Sequence, residues 1–246
     1  MQLQVLSFQG YDGQANLAQE EQLFKLARSS QQAFCAFYTN DPCVVLGRSN
    51  DPAKWLDSAQ LDADGIPIYR RFTGGGAVYH DRNNLNFSFI MPKTILEGLA
   101  DCPLRGAVSP SWYIEVFRKI VIQALRQGGT GYTATGTSDI SLYGRKISGS
   151  AQRIADKAVL HHGTILKDCD LAAMERYLLI PPDRSGVPHR QFVTSLHKQG
   201  RNYPDDMLKT WIVKALCAGL SLTEAITPPE KGNNSYRERE LRSKRD

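Results

Sequence analysis

The sequence lacks the features of a membrane or disulfide-rich protein. None of its apolar runs approaches the ~20 residues of a transmembrane helix. Residues 1–8 alternate like a strand, and the basic start, apolar stretch and cleavage site of a signal peptide do not follow one another. The five cysteines are odd in number and form no C-x-x-C pair, which disfavours a disulfide framework or a zinc site. We therefore predict a reduced, cytoplasmic protein.

Composition and charge indicate one globular domain with a charged tail. The 246 residues are 41% hydrophobic and 22% charged, with a formal net charge of +5. The basic excess indicates either a mildly basic surface or attraction to acidic partners, such as nucleotides or an acidic carrier protein. No basic stretch is interleaved with stacking aromatics, so nucleic acid is not an expected partner. A membrane is not expected either, because no apolar run is long enough to span one. We predict one folded domain over residues 1–222 and a charged, poorly ordered or partner-docking tail over 223–246.

Hydrophobic periodicity and turn signals predict an α+β fold. The predicted strands cover residues 2–8, 33–38, 43–46, 66–72, 77–80, 85–90, 139–142, 145–148 and 158–166. The predicted helices cover residues 16–28, with Asn16 as the N-cap, and 171–179 and 204–220, and a further helix opens at Ser109-Pro110 and ends at Gly128. Strands and helices do not alternate regularly, which favours a mixed β-sheet backed by helices.

A glycine-rich segment carries the first chemical signal. Residues 70–81 read R-R-F-T-G-G-G-A-V-Y-H-D. Three consecutive glycines let the backbone approach a ligand closely, and their N–H groups can converge on an anion. Arg70 and Arg71 supply fixed charge for phosphate oxygens. A plain glycine hairpin between two strands is the alternative, and it stays open on this segment alone.

Two later segments carry the remaining polar candidates. Lys146 lies in a predicted strand beside the small residues 148–151, which leave room for a ligand that the ammonium group can reach. Asp139 can serve Mg²⁺, although an exposed lysine and a turn aspartate are the alternatives. In L-H-H-G-T-I-L, residues 160–166, His161 and His162 point to opposite faces of a strand, so only one of them can face a site with Thr164.

Taken in order, these segments resemble the catalytic domain of lipoate–protein ligases, in the biotin/lipoate ligase superfamily. The resemblance rests on residues 70–81, on N-L-N-F-S at 84–88, on G-R-K-I-S-G-S-A at 144–151 and on the histidine strand. It spans roughly residues 5–200. It implies a biotin/lipoate ligase type of fold, and an enzyme that activates lipoate or octanoate with ATP and passes the acyl group from acyl-AMP to a lysine of a carrier domain.

The resemblance also implies a role for particular residues. Thirteen residues would bind the acid or ATP by lining the groove or lying beside the nucleotide: Arg71, Gly74, Gly75, Gly76, Tyr79, His80, Asn86, Ser88, Gly149, Ala151, His162, Gly163 and Thr164. Lys146 would contact the acid carboxylate and the α-phosphate, and Asp139 would help to place Mg²⁺. Because the nucleophile comes from the partner, the chain needs positioning and charge stabilisation rather than a nucleophile of its own.

Two departures from the family pattern bear on these expectations. The family usually has glycine before Asn-Leu-Asn, whereas Asn83 stands there, and asparagine tolerates a left-handed backbone better than most residues. The sequence is also too short for the C-terminal domain that caps the site in the long ligases. Three alternatives stay open: a separate accessory subunit supplies the function of that domain, the enzyme works without it, or only one half-reaction runs here. The partner that the resemblance implies is a lipoyl carrier domain, of the 2-oxoacid dehydrogenase E2 or glycine cleavage H protein type.

Three other functions stay open. An octanoyltransferase of the same superfamily would move octanoyl from acyl carrier protein through a cysteine thioester without ATP, and Cys169 or Cys102 would have to supply the thiol. Carboxylates next to Cys169 would raise its pKa, and Cys102 lies in a loop next to a proline. A biotin ligase is disfavoured because its Gly-Arg-Gly-Arg loop is absent. A non-catalytic lipoyl-carrier binding module is the third alternative, against which the presence of Lys146 argues.

Overall fold

The computed structural model of the chain describes residues 1–103, 108–180 and 187–225. Its strands are β1 (Gln2–Ser7), β2 (Ala33–Tyr38), β3 (Cys43–Leu46), β4 (Ile68–Arg70), β5 (Ala77–His80), β6 (Asn84–Pro92), β7 (Tyr132–Thr135), β8 (Asp139–Leu142), β9 (Arg145–Ile154), β10 (Ala158–Leu166) and β11 (Thr223–Glu224). Its helices are α1 (Gly13–Ser30), α2 (Ser58–Ala63), α3 (Lys93–Leu96), α4 (Pro110–Leu125), α5 (Leu171–Tyr177), α6 (His189–Phe192) and α7 (Asp205–Leu220). No helix within these described ranges is long and apolar enough to span a membrane.

Two sheets make up the domain. The large sheet has the strand order β11-β1-β2-β6-β10-β9-β8-β7, and the small sheet has the order β4-β3-β5. In the large sheet β1 pairs in parallel with β2 and β11, and all other neighbours are antiparallel. In the small sheet β3 is parallel to β4 and antiparallel to β5. The predicted α+β fold with a mixed sheet and helices is confirmed.

The central strands β6 and β10 are buried along their whole length, and their two faces differ in chemistry. Leu85, Phe87, Phe89 and Met91 of β6 join the main core with helices α4 and α7. On the other face, Asn84, Asn86 and Ser88 alternate with them and point towards α1 and the small sheet, since successive side chains of a strand point to opposite faces. A polar row on a strand this deeply buried requires hydrogen-bond partners there.

Most predicted elements are confirmed, and the differences have local causes. Helix α1 begins at Gly13 because Asp12 is its N-cap, accepting hydrogen bonds from the backbone N–H groups of Gln14 and Ala15. The prediction that Asn16 caps this helix is therefore wrong. Asn16 lies inside the helix, and its side-chain amide donates to Asn40 Oδ1 over 2.8 Å.

Several strands differ from the predictions in extent, and two were not predicted. Strand β9 extends to Ile154, beyond the predicted end at residue 148. Its small residues show no clear strand pattern in the sequence, but their backbone pairs with β10. The four residues of β7 were not predicted. Two residues of the predicted tail, Thr223–Glu224, form β11 and pair with β1, whereas residues 226–246 lie outside the described part of the chain.

Candidate active site

A cavity of about 320 Å³ lies between the two sheets. Strands β3 and β5 of the small sheet line one side, and β9 and β10 of the large sheet line the other. The predicted site residues that line it are Arg71, Gly75, Gly76, His80, Asp139, Lys146, Gly149, Ala151, His162, Gly163 and Thr164. The structure thus brings together segments that are far apart in the sequence.

Lys146 and Asp139 form an ion pair in this cavity. The Lys146 Nζ atom lies 2.8 Å from Asp139 Oδ1, across the neighbouring strands β8 and β9, and both side chains are partly exposed to the cavity. Gly149 makes room for the pair, because a Cβ atom there would lie 3.0 Å from Lys146 Nζ. The cavity therefore presents a positive group and a carboxylate side by side.

Arg71 is a buried organiser of the glycine loop. Its Nε and Nη2 atoms donate to Gly74 O over 3.1 and 2.8 Å, and Nη2 also donates to Gly76 O over 2.9 Å. Its Nη1 atom donates to Val45 O over 3.1 Å. Burial lowers the Arg71 pKa to about 10, so the group stays charged at neutral pH. Most of its donors are bound to backbone carbonyls, so Arg71 shapes the loop and supplies a fixed positive charge rather than a fork of free donors.

The three glycines of the loop differ in their surroundings. Gly75 has a positive φ of 88°, a conformation that side chains other than glycine rarely adopt. At Gly76 a Cβ atom would lie 2.7 Å from the Trp55 ring, whereas at Gly74 it would meet nothing within 4 Å. The close approach of Trp55 therefore depends on Gly76, and Gly74 does not line the cavity.

A buried carboxylate lies under the cavity floor. Glu20 of α1 is fully buried, and its Oε2 atom lies 2.9 Å from His162 Nδ1. Its Oε1 atom accepts hydrogen bonds from Tyr38 and Ser88. The other ring nitrogen of His162, Nε2, lies 2.8 Å from Thr73 Oγ1. Because Tyr38 and Ser88 donate to the same carboxylate, these contacts assign Nδ1–H of His162 as the donor to Glu20 and Nε2 as the acceptor from Thr73.

His80 belongs to a second buried chain of hydrogen bonds. Its Nδ1 atom lies 2.9 Å from Asn40 Nδ2, and its Nε2 atom lies 3.0 Å from Thr164 Oγ1. Thr164 in turn donates to Asn86 Oδ1 over 2.7 Å. Burial, with lesser contributions from Arg71 and His162, lowers the His80 pKa to about 3. His80 is therefore neutral at physiological pH, with Nδ1 accepting from Asn40 and Nε2 donating to Thr164.

The two adjacent histidines of β10 lie on opposite faces, as the strand period requires. His162 lines the cavity, whereas His161 lies in the main core with its ring stacked on Phe117 at 5.0 Å between centroids. Burial lowers the His161 pKa to about 3. Of the two, His162 is thus the histidine on the cavity wall.

Three further predicted positions lie beside the cavity instead of lining it. Tyr79 points into the core between the small sheet and α5, where its ring lies 5.6 Å from that of Tyr177. Asn86 and Ser88 lie opposite Thr164 and His162 in the β6–β10 pairing. Their side chains bond to Glu20 and Thr164 beneath the cavity. The prediction that they face the groove is therefore corrected: they support the residues that line it.

The departure at Asn83 leaves the turn before β6 intact. The Asn83 backbone N–H donates to Asp81 Oδ1 over 2.8 Å, and the Asn84 N–H donates to Asp81 O over 3.2 Å. Asn83 does not adopt the left-handed conformation, so a glycine is not required here.

Sequence reasoning missed Glu20, His189 and the apolar walls of the cavity. The walls include Leu17, Tyr38, Val45, Trp55, Met174 and Phe192. A signal for Glu20 is present in the sequence, because it falls on the same helical face as Leu17, Phe24 and Ala27, all of which are buried. A carboxylate on the buried stripe of a helix must find polar partners inside the protein.

Comparison with known proteins identifies the class to which this fold and cavity belong. The family model described as lipoyl protein ligase A/B catalytic domain matches residues 12–217. The chain belongs to this family, and the resemblance drawn from the sequence motifs is confirmed.

Individual proteins resemble the chain in sequence or in structure. The lipoate-protein ligase LplJ of Bacillus subtilis is 34% identical over 174 residues, which is 70% of this chain and 48% of that protein. A lipoate-protein ligase A solved with bound ATP is similar with a TM-score of 0.76 at 21% identity, covering 99% of this chain and 94% of that one.

A bi-partite lipoate protein ligase from Thermoplasma acidophilum, described with its E2 lipoyl domain, has a TM-score of 0.77 at 22% identity, covering 98% of this chain and 90% of that one. These structural likenesses show the fold. The chain spans about half the length of the curated relatives that it matches.

Proposed function

We propose that this chain is a lipoate–protein ligase that activates lipoate or octanoate with ATP and transfers the acyl group to a lysine of a lipoyl carrier domain. The observation that carries the proposal is the cavity itself, which combines long apolar walls with the Lys146–Asp139 pair. An acyl chain needs apolar walls, and an adenylate needs positive charge where its oxygens develop charge. Membership of the family and the name of the Bacillus subtilis relative support the substrate class.

The reaction that we propose has two half-reactions. In the first, a carboxylate oxygen of the acid attacks the α-phosphorus of ATP, and pyrophosphate leaves with the electron pair of the broken P–O bond. In the second, the carrier lysine attacks the acyl carbon and AMP leaves. Lys146 stabilises the negative charge of the carboxylate and the α-phosphate, and Arg71 adds fixed positive charge from beneath the loop. Lipoate and octanoate carry the same carboxylate, so both remain substrates of the proposal.

The cavity residues fit ATP with Mg²⁺. Mg²⁺ is usually held by one or two carboxylates together with substrate phosphates, and Asp139 offers a carboxylate on the cavity wall. Bound Mg²⁺ supplies charge neutralisation on the phosphates, and Asp139 is the residue that would hold it. The ATP-bound ligase of the same fold supports ATP as the nucleotide.

The carrier partner and its location are further parts of the proposal. A lipoyl carrier domain of the E2 or H protein type fits the required nucleophile, and the archaeal relative is described with an E2 lipoyl domain. That relative is also described as bi-partite, which supports a separate accessory subunit here. Cys35, Cys43, Cys169 and Cys217 are free thiols, in keeping with the proposed cytoplasmic setting.

The cysteine chemistry of an octanoyltransferase finds no support in the described residues. No cysteine is among the described residues that line the cavity. Burial raises the pKa of Cys43 and of Cys169 to about 12, so neither thiol is a ready nucleophile.

We therefore expect the variants Cys102→Ser and Cys169→Ser to acylate the carrier within about threefold of the wild-type rate, because chemistry at an adenylate does not pass through a thiol. The rates are compared by mass spectrometry of the carrier. A loss of about 100-fold or more in one variant that stays folded would favour the thioester route instead.

Gly76→Ala is expected to lower kcat/KM for the acid and for ATP by at least about tenfold. The added Cβ atom would lie 2.7 Å from the Trp55 ring and would force that ring away from the cavity wall. Gly74→Ala is the matched control, and we expect it to stay within about threefold. Steady-state kinetics of both variants test this. Equal losses in the two variants would show that Trp55 packing against Gly76 does not shape the cavity.

The experiment that tests the proposed function is acylation of an apo lipoyl domain. Purified protein, ATP, Mg²⁺ and lipoate or octanoate should add one acyl group to the carrier lysine, detected as a mass increase that requires ATP. Biotin in place of lipoate should give no product. Tight binding of the carrier without any acylation, with or without candidate accessory subunits, would indicate a binding module rather than a ligase.

A further inference from the structure

His189 is the histidine of the cavity whose ring is not tied into a hydrogen-bond network. It is buried and lines the cavity together with Lys146. Among the described residues, neither of its ring nitrogens has a hydrogen-bond partner. The lone pair of a neutral imidazole in this position can accept a proton from a ligand.

The other histidines are committed elsewhere. Both ring nitrogens of His80 are bound to Asn40 and Thr164, and both of those of His162 are bound to Glu20 and Thr73. His161 faces the opposite side of the sheet, within the main core.

His197 is exposed and lines a separate small pocket. Asp139, the carboxylate that lines the cavity in the described part of the chain, is paired with Lys146. Among the described residues that line the cavity, His189 is therefore the group left to accept a proton.

The segment that carries His189 is fixed directly against the strand of Lys146. The Thr194 N–H donates to Lys146 O over 2.8 Å, and Val193 forms a parallel β-bridge with Lys146. The Arg145 guanidinium donates to Val193 O over 2.8 Å and also bonds to Arg190 O. These contacts place the imidazole and the Lys146 ammonium on adjoining parts of the same wall.

The segment is fixed on its other side to helix α5. Glu175 accepts hydrogen bonds of 2.8 Å from the backbone N–H of Arg190 and from its guanidinium. The His189 ring packs against Phe192, with centroids 5.3 Å apart. The segment is therefore held on both sides, and the packing against Phe192 orients the ring for proton transfer.

We propose that His189 is the general base of acyl transfer, accepting the proton that the carrier lysine loses when it attacks the acyl-adenylate. This inference rests on the proposed function. The lysine nitrogen forms a bond to the acyl carbon, and the bond from that carbon to the phosphate oxygen breaks. AMP leaves with that electron pair, and the proton of the nitrogen moves to the His189 ring, from which it passes to water.

The charges around His189 keep it in the basic form. Burial lowers its pKa below the ordinary value, Glu175 on α5 opposes this shift, and Lys146 on β9 adds to it. Arg190 in the same helix is paired with Glu175, Asp139 is paired with Lys146, and Arg145 bonds to backbone carbonyls. Neutral His189 is thus the form present at physiological pH, and transfer should weaken only in acid.

The test compares the two half-reactions in His189→Gln and His189→Ala. Transfer is measured in a single turnover from preformed octanoyl-AMP to an apo lipoyl domain, and adenylation is measured as ATP–pyrophosphate exchange with octanoate. We expect transfer to fall about 100-fold more than exchange, the usual scale of general-base catalysis. Free imidazole should restore transfer in His189→Ala, and the acidic limb of the transfer rate in the wild type should be absent in His189→Gln. His197→Gln is the matched control.

The outcomes separate this inference from the function on which it rests. Equal losses in both half-reactions, or no rescue by imidazole, would assign His189 a structural role and overturn the proposal. Wild-type protein that does not transfer from octanoyl-AMP would also overturn it. Absence of exchange in the wild type contradicts the ligase activity itself, while transfer from preformed octanoyl-AMP still tests His189.

Discussion

Replacement of Lys146 by alanine is expected to lower acid-dependent ATP–pyrophosphate exchange by about 10²–10³-fold, the scale for loss of one group that stabilises developing charge. The reason is geometric. Lys146 and Arg71 are the lysine and arginine side chains among the described residues that line the cavity. Arg71 is bound to the carbonyls of Val45, Gly74 and Gly76, so Lys146 is left to contact the reacting oxygens.

Two controls make the Lys146 result interpretable. Lys157→Ala removes an exposed lysine from the turn between β9 and β10, and we expect its exchange rate to stay within about threefold of wild type. Lys146→Met keeps the length of the side chain without its charge, and it should behave like Lys146→Ala if charge is what matters. Exchange in Lys146→Ala within threefold of wild type, in protein that unfolds at the normal temperature, would contradict the assigned role.

Glu20→Ala is expected to lower the free energy of unfolding by about 3 kcal/mol, because each buried polar group left without a partner costs about 1–3 kcal/mol. The variant removes the acceptor for His162, Tyr38 and Ser88 at a fully buried position. His162 then loses the contact that fixes its ring, so carrier acylation should fall as well. Urea unfolding of the variant and the wild type measures the change.

The neighbouring residue supplies the control for Glu20. Glu21 pairs with Lys25 on the surface of α1, and exposed pairs of this kind contribute about 0–1 kcal/mol. We therefore expect Glu21→Ala to change stability by no more than about 0.5 kcal/mol. Similar losses in the two variants would mean that the Glu20 network does not hold the cavity floor.

The parts of the site that the sequence predicts are those formed by local chemistry. The glycine loop of residues 74–76 is contiguous with Arg71, and Asp139 and Lys146 lie on the two strands of one hairpin. Strand alternation separates His161 from His162 without long-range information. In such cases the residue types and the period of the element already determine what lies together.

The parts that the sequence did not predict depend on contacts between distant segments. Glu20 and His162 are 142 residues apart, and only the packing of α1 on the large sheet brings them together. His189 reaches the cavity because its segment pairs with Lys146 through backbone atoms, which no side-chain pattern records. Tyr79, which the resemblance places beside the nucleotide, packs in the small-sheet core, because burial there determines where its side chain points.

The measurement that tests the account most directly is ATP–pyrophosphate exchange by the wild-type protein with Mg²⁺ and either lipoate or octanoate. The account predicts exchange that requires the acid and that disappears when Lys146 is replaced by alanine. Exchange with neither acid, both in the presence and in the absence of an apo lipoyl domain and accessory subunits, would contradict the claim that this cavity makes an acyl-adenylate.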